Sequence, residues 1–210
     1  VYAVASDGTV LVAQAADRAV HPASVTKVAT TIALLERFGP SYRFETRIAG
    51  SGVLSAGALE GDLVVEGSGD PLLVDEGALL LLDRLRARGL RVVAGRLVVR
   101  GPLLFDWQLD PDGRGLEAVL RGEAGGPART LLARGGGPPR YDTAPLTFRH
   151  ATTSADAQAE ALAVYRSPPL LHLVKALNGY SNNVFHLAAD AVGGARVVEE
   201  RARARVAPEM

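Results

Sequence analysis

The chain has no cysteine, which excludes disulfides and thiolate metal sites and leaves the redox compartment open. It has no net charge, 23 basic against 23 acidic residues, and no dense basic cluster, so a nucleic-acid surface is not expected. It has no long apolar run, since Ala78 to Leu82 is broken by Asp83 and Arg84, and no transmembrane segment is expected. Its four histidines are scattered without an i, i+4 pair, so neither a metal site nor a cofactor is expected. It is also nearly devoid of lysine: Lys27 and Lys175 stand against twenty-one arginines. What remains is 210 residues with 48% apolar content, enough for one large core or two small ones in a soluble globular protein. The chain opens at Val1 inside an apolar run without a charged leader, so any signal peptide is expected to have been removed or to lie outside this sequence.

One of the two lysines carries the strongest local signal, Ser24-Val25-Thr26-Lys27. Serine and lysine three apart on a helix share a face, so the amine reaches the hydroxyl that it would deprotonate. Val28, Ile32, Leu35 and Phe38 recur at helical spacing after it, and Gly39-Pro40 stops the pattern. The N-terminal dipole of such a helix favours negative charge on Ser24 and disfavours positive charge on Lys27. The competing reading is a serine that merely starts a helix with an exposed lysine, and the motif alone does not separate the two.

In chain order, Val1 to Ala5 and Thr9 to Ala13 flank Ser6-Asp7-Gly8 and read as a β-hairpin on which the Ser24 helix would pack. Arg43 to Ile48 and Leu63 to Glu66 read as strands, with Gly67-Ser68-Gly69-Asp70-Pro71 as a turn rather than a phosphate cradle, because it lacks GxGxxG and a P-loop lysine. Glu76 to Arg88 reads as a helix stopped by Gly89, and Leu90 to Val99 as one strand. Phe105 to Tyr141, rich in Gly, Pro and Arg, reads as loop or linker. Ala155 to Tyr165 and Leu170 to Leu177 read as helices. Asp70, Trp107 and the Arg84 to Arg91 cluster read as structural or solvated surface.

All three asparagines fall within Asn178-Gly179-Tyr180-Ser181-Asn182-Asn183. Taken singly this is ordinary turn chemistry between helices. Ser-x-x-Lys followed by Ser-x-Asn, however, is the order of motifs in penicillin-binding proteins and class A β-lactamases. The chain most resembles the D-alanyl-D-alanine carboxypeptidase/endopeptidases of the low-molecular-mass penicillin-binding proteins, the group with inserted domains. The stretches that carry the likeness are His21 to Lys27, Gly61 to Pro71, Val93 to Val99, and Ser167-Pro168-Pro169-Leu170 leading to Ser181-Asn182-Asn183.

The resemblance implies an α/β (α+β) transpeptidase-like domain, incomplete, built from 1–44 and 160–210 and interrupted by a β-rich insert over 45–159. It implies Ser24 as the residue acylated by a peptidoglycan stem peptide or a β-lactam, with Lys27 as base. Ser181 would handle the leaving-group proton and Asn183 the substrate amide. It also implies a periplasmic or other extracytoplasmic location. Two departures stand out: no Lys-Thr-Gly follows Asn183, and Arg100-Gly101 stands where the family usually has an aspartate associated with the amino end of the stem peptide's side chain. An incomplete domain is expected to self-associate or to pair with a C-terminal fragment, and to be a poor catalyst. Two other readings are an incomplete or non-catalytic domain, and a class C β-lactamase or esterase-like hydrolase using Tyr180 from Tyr-x-Asn.

Overall fold

A computed structural model of the protein describes residues 1–19, 23–134, 141–151, 160–179 and 184–206. The first hairpin forms as its turn chemistry demands. Strands β1 (Tyr2–Val4) and β2 (Val10–Ala13) pair antiparallel. The Ala5 N–H donates to Thr9 O at 2.8 Å, the Asp7 carboxylate accepts the Thr9 N–H at 2.9 Å, and Gly8 takes φ +88°. Glycine at the left-handed position of a three-residue loop meets no steric penalty.

The hairpin does not carry the next helix. After a 3-10 turn, Ala23–Val25, helix α1 (Thr26–Phe38) packs instead on the C-terminal helices. Its buried residues are Lys27, Thr30, Ala33 and Leu34, whereas Val28 is exposed. The face is therefore turned from the stripe that Val28, Ile32, Leu35 and Phe38 predict. That leaves Tyr2 and Leu11 60% and 64% exposed on the hairpin. Gly39, at φ +79°, ends α1 and donates to Leu35 O at 2.9 Å.

The middle of the chain builds two four-stranded sheets around helix α2. Strands β3 (Glu45–Gly50), β4 (Leu54–Ser55), β5 (Ala58–Leu59) and β6 (Leu63–Glu66) precede α2 (Asp75–Ala87). Asp75 and Glu76 in its first turn and Arg84 and Arg86 in its last complement the helix dipole. Gly89, at φ +85°, closes it. The predicted strand Leu90 to Val99 is two strands, β7 (Val92–Val93) and β8 (Leu97–Arg100), in different sheets. The break falls where the Ala94, Gly95 and Arg96 N–H groups donate to Leu59 O, Gly61 O and Asp62 Oδ1. A Cβ on Gly95 would stand 2.0 Å from Asp62 Oδ1, so only glycine fits that crossing.

Residues 105–134 are not a linker, whereas residues 135–140 of the stretch read as loop lie outside the described residues. Strands β9 (Leu104–Phe105) and β10 (Gln108–Leu109) make a tight hairpin with Asp106 and Trp107 both at positive φ, and helices α3 (Arg114–Leu120) and α4 (Gly126–Arg134) follow. Asp110 Oδ2 accepts the Gly115 and Leu116 N–H groups at 3.1 and 3.2 Å, satisfying donors in the first turn of α3. Leu116, Val119, Leu120 and Ala128 are buried. Their periodicity is hidden in sequence by the shortness of α3 and the glycines around it.

After β11 (Thr147–Phe148), strand β12 (Glu160–Arg166) replaces the helix expected over Ala155 to Tyr165. It pairs antiparallel with β3, Glu160 opposite Gly50 and Arg166 opposite Glu45, and this ladder overrides the helical propensity of an alanine-rich run. Residues 155–159 of that expected helix lie outside the described residues. The sheet orders are β12-β3-β6-β8 and β11-β7-β5-β4. Helices α5 (Leu170–Asn178), α6 (Phe185–Asp190) and α7 (Ala195–Val206) complete the chain. On α5, Leu170, Leu173, Val174 and Leu177 are buried, the stripe the spacing predicts.

Two cores result. One runs from Ile48 to Ala163 through α2 and both large sheets. The other joins Ala33, Leu34 and Phe44 to Leu170, Leu173, Val174, Ala188, Ala189, Val192 and Val198, so both ends of the chain share it. The chain passes between them at Phe44–Glu45 and Arg166–Ser167. There the buried Ser167 Oγ accepts the Phe44 N–H at 2.9 Å, Ser167 N–H donates to Phe44 O at 3.0 Å, and Arg43 Nη1 donates to Ser167 O at 2.7 Å. Among the described residues, no helix is long and apolar enough to cross a membrane. The fold is α+β with mixed sheets, as expected.

Candidate active site

Ser24 sits on the 3-10 turn that leads into α1, exposed to solvent. Lys27 lies in the first turn of α1 and is 7% exposed, an unusual burial for a lysine. Its Nζ lies 5.6 Å from the centroid of the Phe185 ring, which α6 brings across from the far end of the chain. The turn is held from below: Thr26 Oγ1 donates to Ala23 O at 2.9 Å, and Thr30, also buried, follows one turn on. Ser24 is thus an exposed residue just ahead of α1 and Lys27 a buried one in its first turn.

Tyr180, Ser181 and Asn183 lie outside the described residues. The flanks of their segment are placed, and both meet α1. Asn178 Nδ2, at the end of α5, donates to Thr31 Oγ1 at 3.0 Å and to Val174 O at 2.8 Å. On the other side Val184 and Phe185 pack with Leu177 and Leu72, and the Phe185 ring reaches Lys27. Sequence reasoning does not find Phe185 or the Asn178–Thr31 bridge. The signal it offers is proximity: both residues lie within four positions of Ser181.

The glycine run at 67–71 is spoken for by the fold. Gly67 and Gly69 N–H donate to Arg100 O and Pro102 O, both at 2.9 Å, and a Cβ at Gly67 would stand 2.4 Å from Pro102 O. These donors are committed to a backbone crossing, not to an anion. Next to it, Asp70 is 2% exposed; its Oδ1 accepts the Leu72 N–H at 2.9 Å, while its Oδ2 has no hydrogen-bond partner among the described residues. Burial pushes the Asp70 carboxyl up from 3.8 to about 6. Arg100, exposed at the end of β8, pairs in the ladder with Glu66. Among the described residues no group of three or more His, Asp or Glu is placed to hold a metal.

The chain is similar to known proteins. The family model for the D-Ala-D-Ala carboxypeptidase 3 (S13) family matches residues 2–112, which include Ser24 and Lys27. The D-alanyl-D-alanine carboxypeptidase DacB of Haemophilus influenzae is 34% identical over 77 residues, 37% of this chain and 16% of that protein. Among solved structures, penicillin-binding protein 4 (dacB) from Haemophilus influenzae, in complex with a β-lactam, superposes with a TM-score of 0.63 at 15% identity, over 95% of this chain and 63% of that one. The penicillin G-acylated Bd3459 predatory endopeptidase from Bdellovibrio bacteriovorus, in complex with the immunity protein Bd3460, superposes with a TM-score of 0.60 at 22% identity, over 87% of this chain and 49% of that one. The present chain thus spans about half to two thirds of the length of these structures. The family match covers more than half of the chain and contains its serine–lysine turn: this chain belongs to the D-Ala-D-Ala carboxypeptidase 3 (S13) family.

Proposed function

We propose that this chain supplies the acylation site of a serine DD-carboxypeptidase/endopeptidase that acts outside the cytoplasm on peptidoglycan stem peptides and is acylated by β-lactams. The observation that carries the reading is an exposed Ser24 three residues ahead of a buried Lys27 at the start of α1. Ser24 Oγ attacks the carbonyl of the D-Ala-D-Ala bond, and its proton passes to Lys27 Nζ. The amide bond breaks, terminal D-alanine leaves with a proton relayed through Ser181, and water then hydrolyses the Ser24 ester to free acid and serine. Asn183 orients the substrate amide.

The two cores support a division of the chain into a catalytic unit, 1–44 with 167–210, and an inserted unit, 45–166. The insert ends later than position 159 in this reading because β12 pairs with β3 and packs in the insert's core. No Lys-Thr-Gly follows Asn183 in this sequence, and the β1–β2 hairpin exposes apolar residues. The test is release of D-alanine from a D-Ala-D-Ala peptide by the full protein. Lys27→Ala is expected to lower turnover by about a hundredfold or more, the loss typical of a positioned general base. Unchanged turnover would remove Lys27 from the mechanism.

A further inference from the structure

Among the described residues strand β12 lies at the edge of its sheet, and its outer side is not bare surface. A groove of about 410 Å³ runs along it, floored by Ala161, Leu162, Ala163 and Val164 and walled by Arg84 and Ala87 of α2 and by Arg88, which caps that helix. An uncovered edge offers unpaired backbone donors and acceptors that an extended chain completes. Ala161 and Ala163 are small enough to admit a neighbouring strand.

The charge on the groove wall selects the partner. Arg84 and Arg88 are exposed, and neither has an ion pair among the described residues, whereas Arg86 on the same helix is held by Asp142 at 3.2 Å. Of the charged groups on β12, Arg166 is neutralised by Glu45 at 2.7 Å, and Glu160 stands exposed at the other end. Residues four apart on a helix are about 6 Å apart along its axis. Same-face side chains on a strand repeat at about 6.6–6.8 Å. Two carboxylates at alternate positions of an added strand therefore match the two guanidiniums.

We propose that β12 and α2 form a docking groove for an extended acidic polypeptide segment, added as a fifth strand to the β12-β3-β6-β8 sheet with carboxylates at alternate positions on Arg84 and Arg88. A second copy of this chain fits less well, because self-pairing through β12 would bring four guanidiniums onto one face of the joined sheet.

The probe is a fluorescein-labelled octapeptide of alternating valine and glutamate, titrated into the full chain by anisotropy, with backbone amide exchange followed over 160–166. Binding is expected with added protection of those amides. It should weaken tenfold or more in the Arg84→Glu/Arg88→Glu variant, and that variant should instead bind the valine–lysine octapeptide, which shows that it is folded. N-methylation at alternate peptide positions should abolish binding. Equal binding of both peptides to both proteins, binding without protection of 160–166, or protection of β12 that rises with protein concentration in the absence of peptide would overturn the proposal. The last of these would assign the edge to a dimer.

Discussion

Lys27 Nζ lies 5.6 Å from the centre of the Phe185 ring, so the two ends of the chain meet at the amine on which the proposed chemistry depends. The ring lies over a side chain that is 7% exposed. A contact of this kind is worth about 0.5–2 kcal/mol depending on solvation. Phe185→Leu keeps most of the apolar volume and removes the aromatic face. We expect it to slow acylation of Ser24 by a factor of roughly 2–30, with Phe185→Tyr close to the parent. Stopped-flow acylation by a chromogenic cephalosporin checks this, and equal rates for Leu and Phe would show that the ring only fills space.

Ser167 pins the two passages between the cores, and its hydroxyl is the acceptor for a buried Phe44 N–H. Ser167→Ala leaves that donor unsatisfied, at a cost of about 1–3 kcal/mol. The exposed Ser55, changed to alanine, should stay within about 0.5 kcal/mol of the parent. Urea denaturation of both variants decides it. Equal midpoints would mean that water replaces the lost acceptor and that the crossing is looser than it looks.

What the sequence discloses and what it hides divide along one line. Local signals suffice where one residue type acts alone: Gly39 and Gly89 stop their helices, Asp7-Gly8 turns the hairpin, and the leucine stripe of α5 faces the core. They mislead where a distant partner decides. β12 reads as a helix until β3 is beside it. The buried face of α1 is set by α5 to α7, and α3 is a helix only because Asp110 and the core hold it. For the site, the Ser24–Lys27 spacing is legible because it is local. Phe185 over Lys27 is not, because that contact joins α6 to α1.

Asp70 gives the fold a pH dependence of defined sign. Burial raises its carboxyl to about 6 in the folded state against an ordinary 3.8. The folded state thus favours the protonated form, and the stability this contributes is complete below pH 3.8 and lost as pH rises through 6. Between about pH 5 and 8 the parent should lose about 1–2 kcal/mol relative to Asp70→Asn. Thermal melts of the two proteins at intervals across that range measure it. Parallel curves would mean that Asp70 Oδ2 gains a partner in solution.

The most direct test is to locate the covalent adduct. The full protein is incubated with a labelled penicillin, its intact mass is measured, and the modified peptide is sequenced. We expect one adduct per chain, on Ser24, hydrolysed slowly, absent in Ser24→Ala and formed about a hundredfold or more slowly in Lys27→Ala. An adduct on any other residue, or one that persists in Ser24→Ala, would contradict the assignment of Ser24 as the nucleophile.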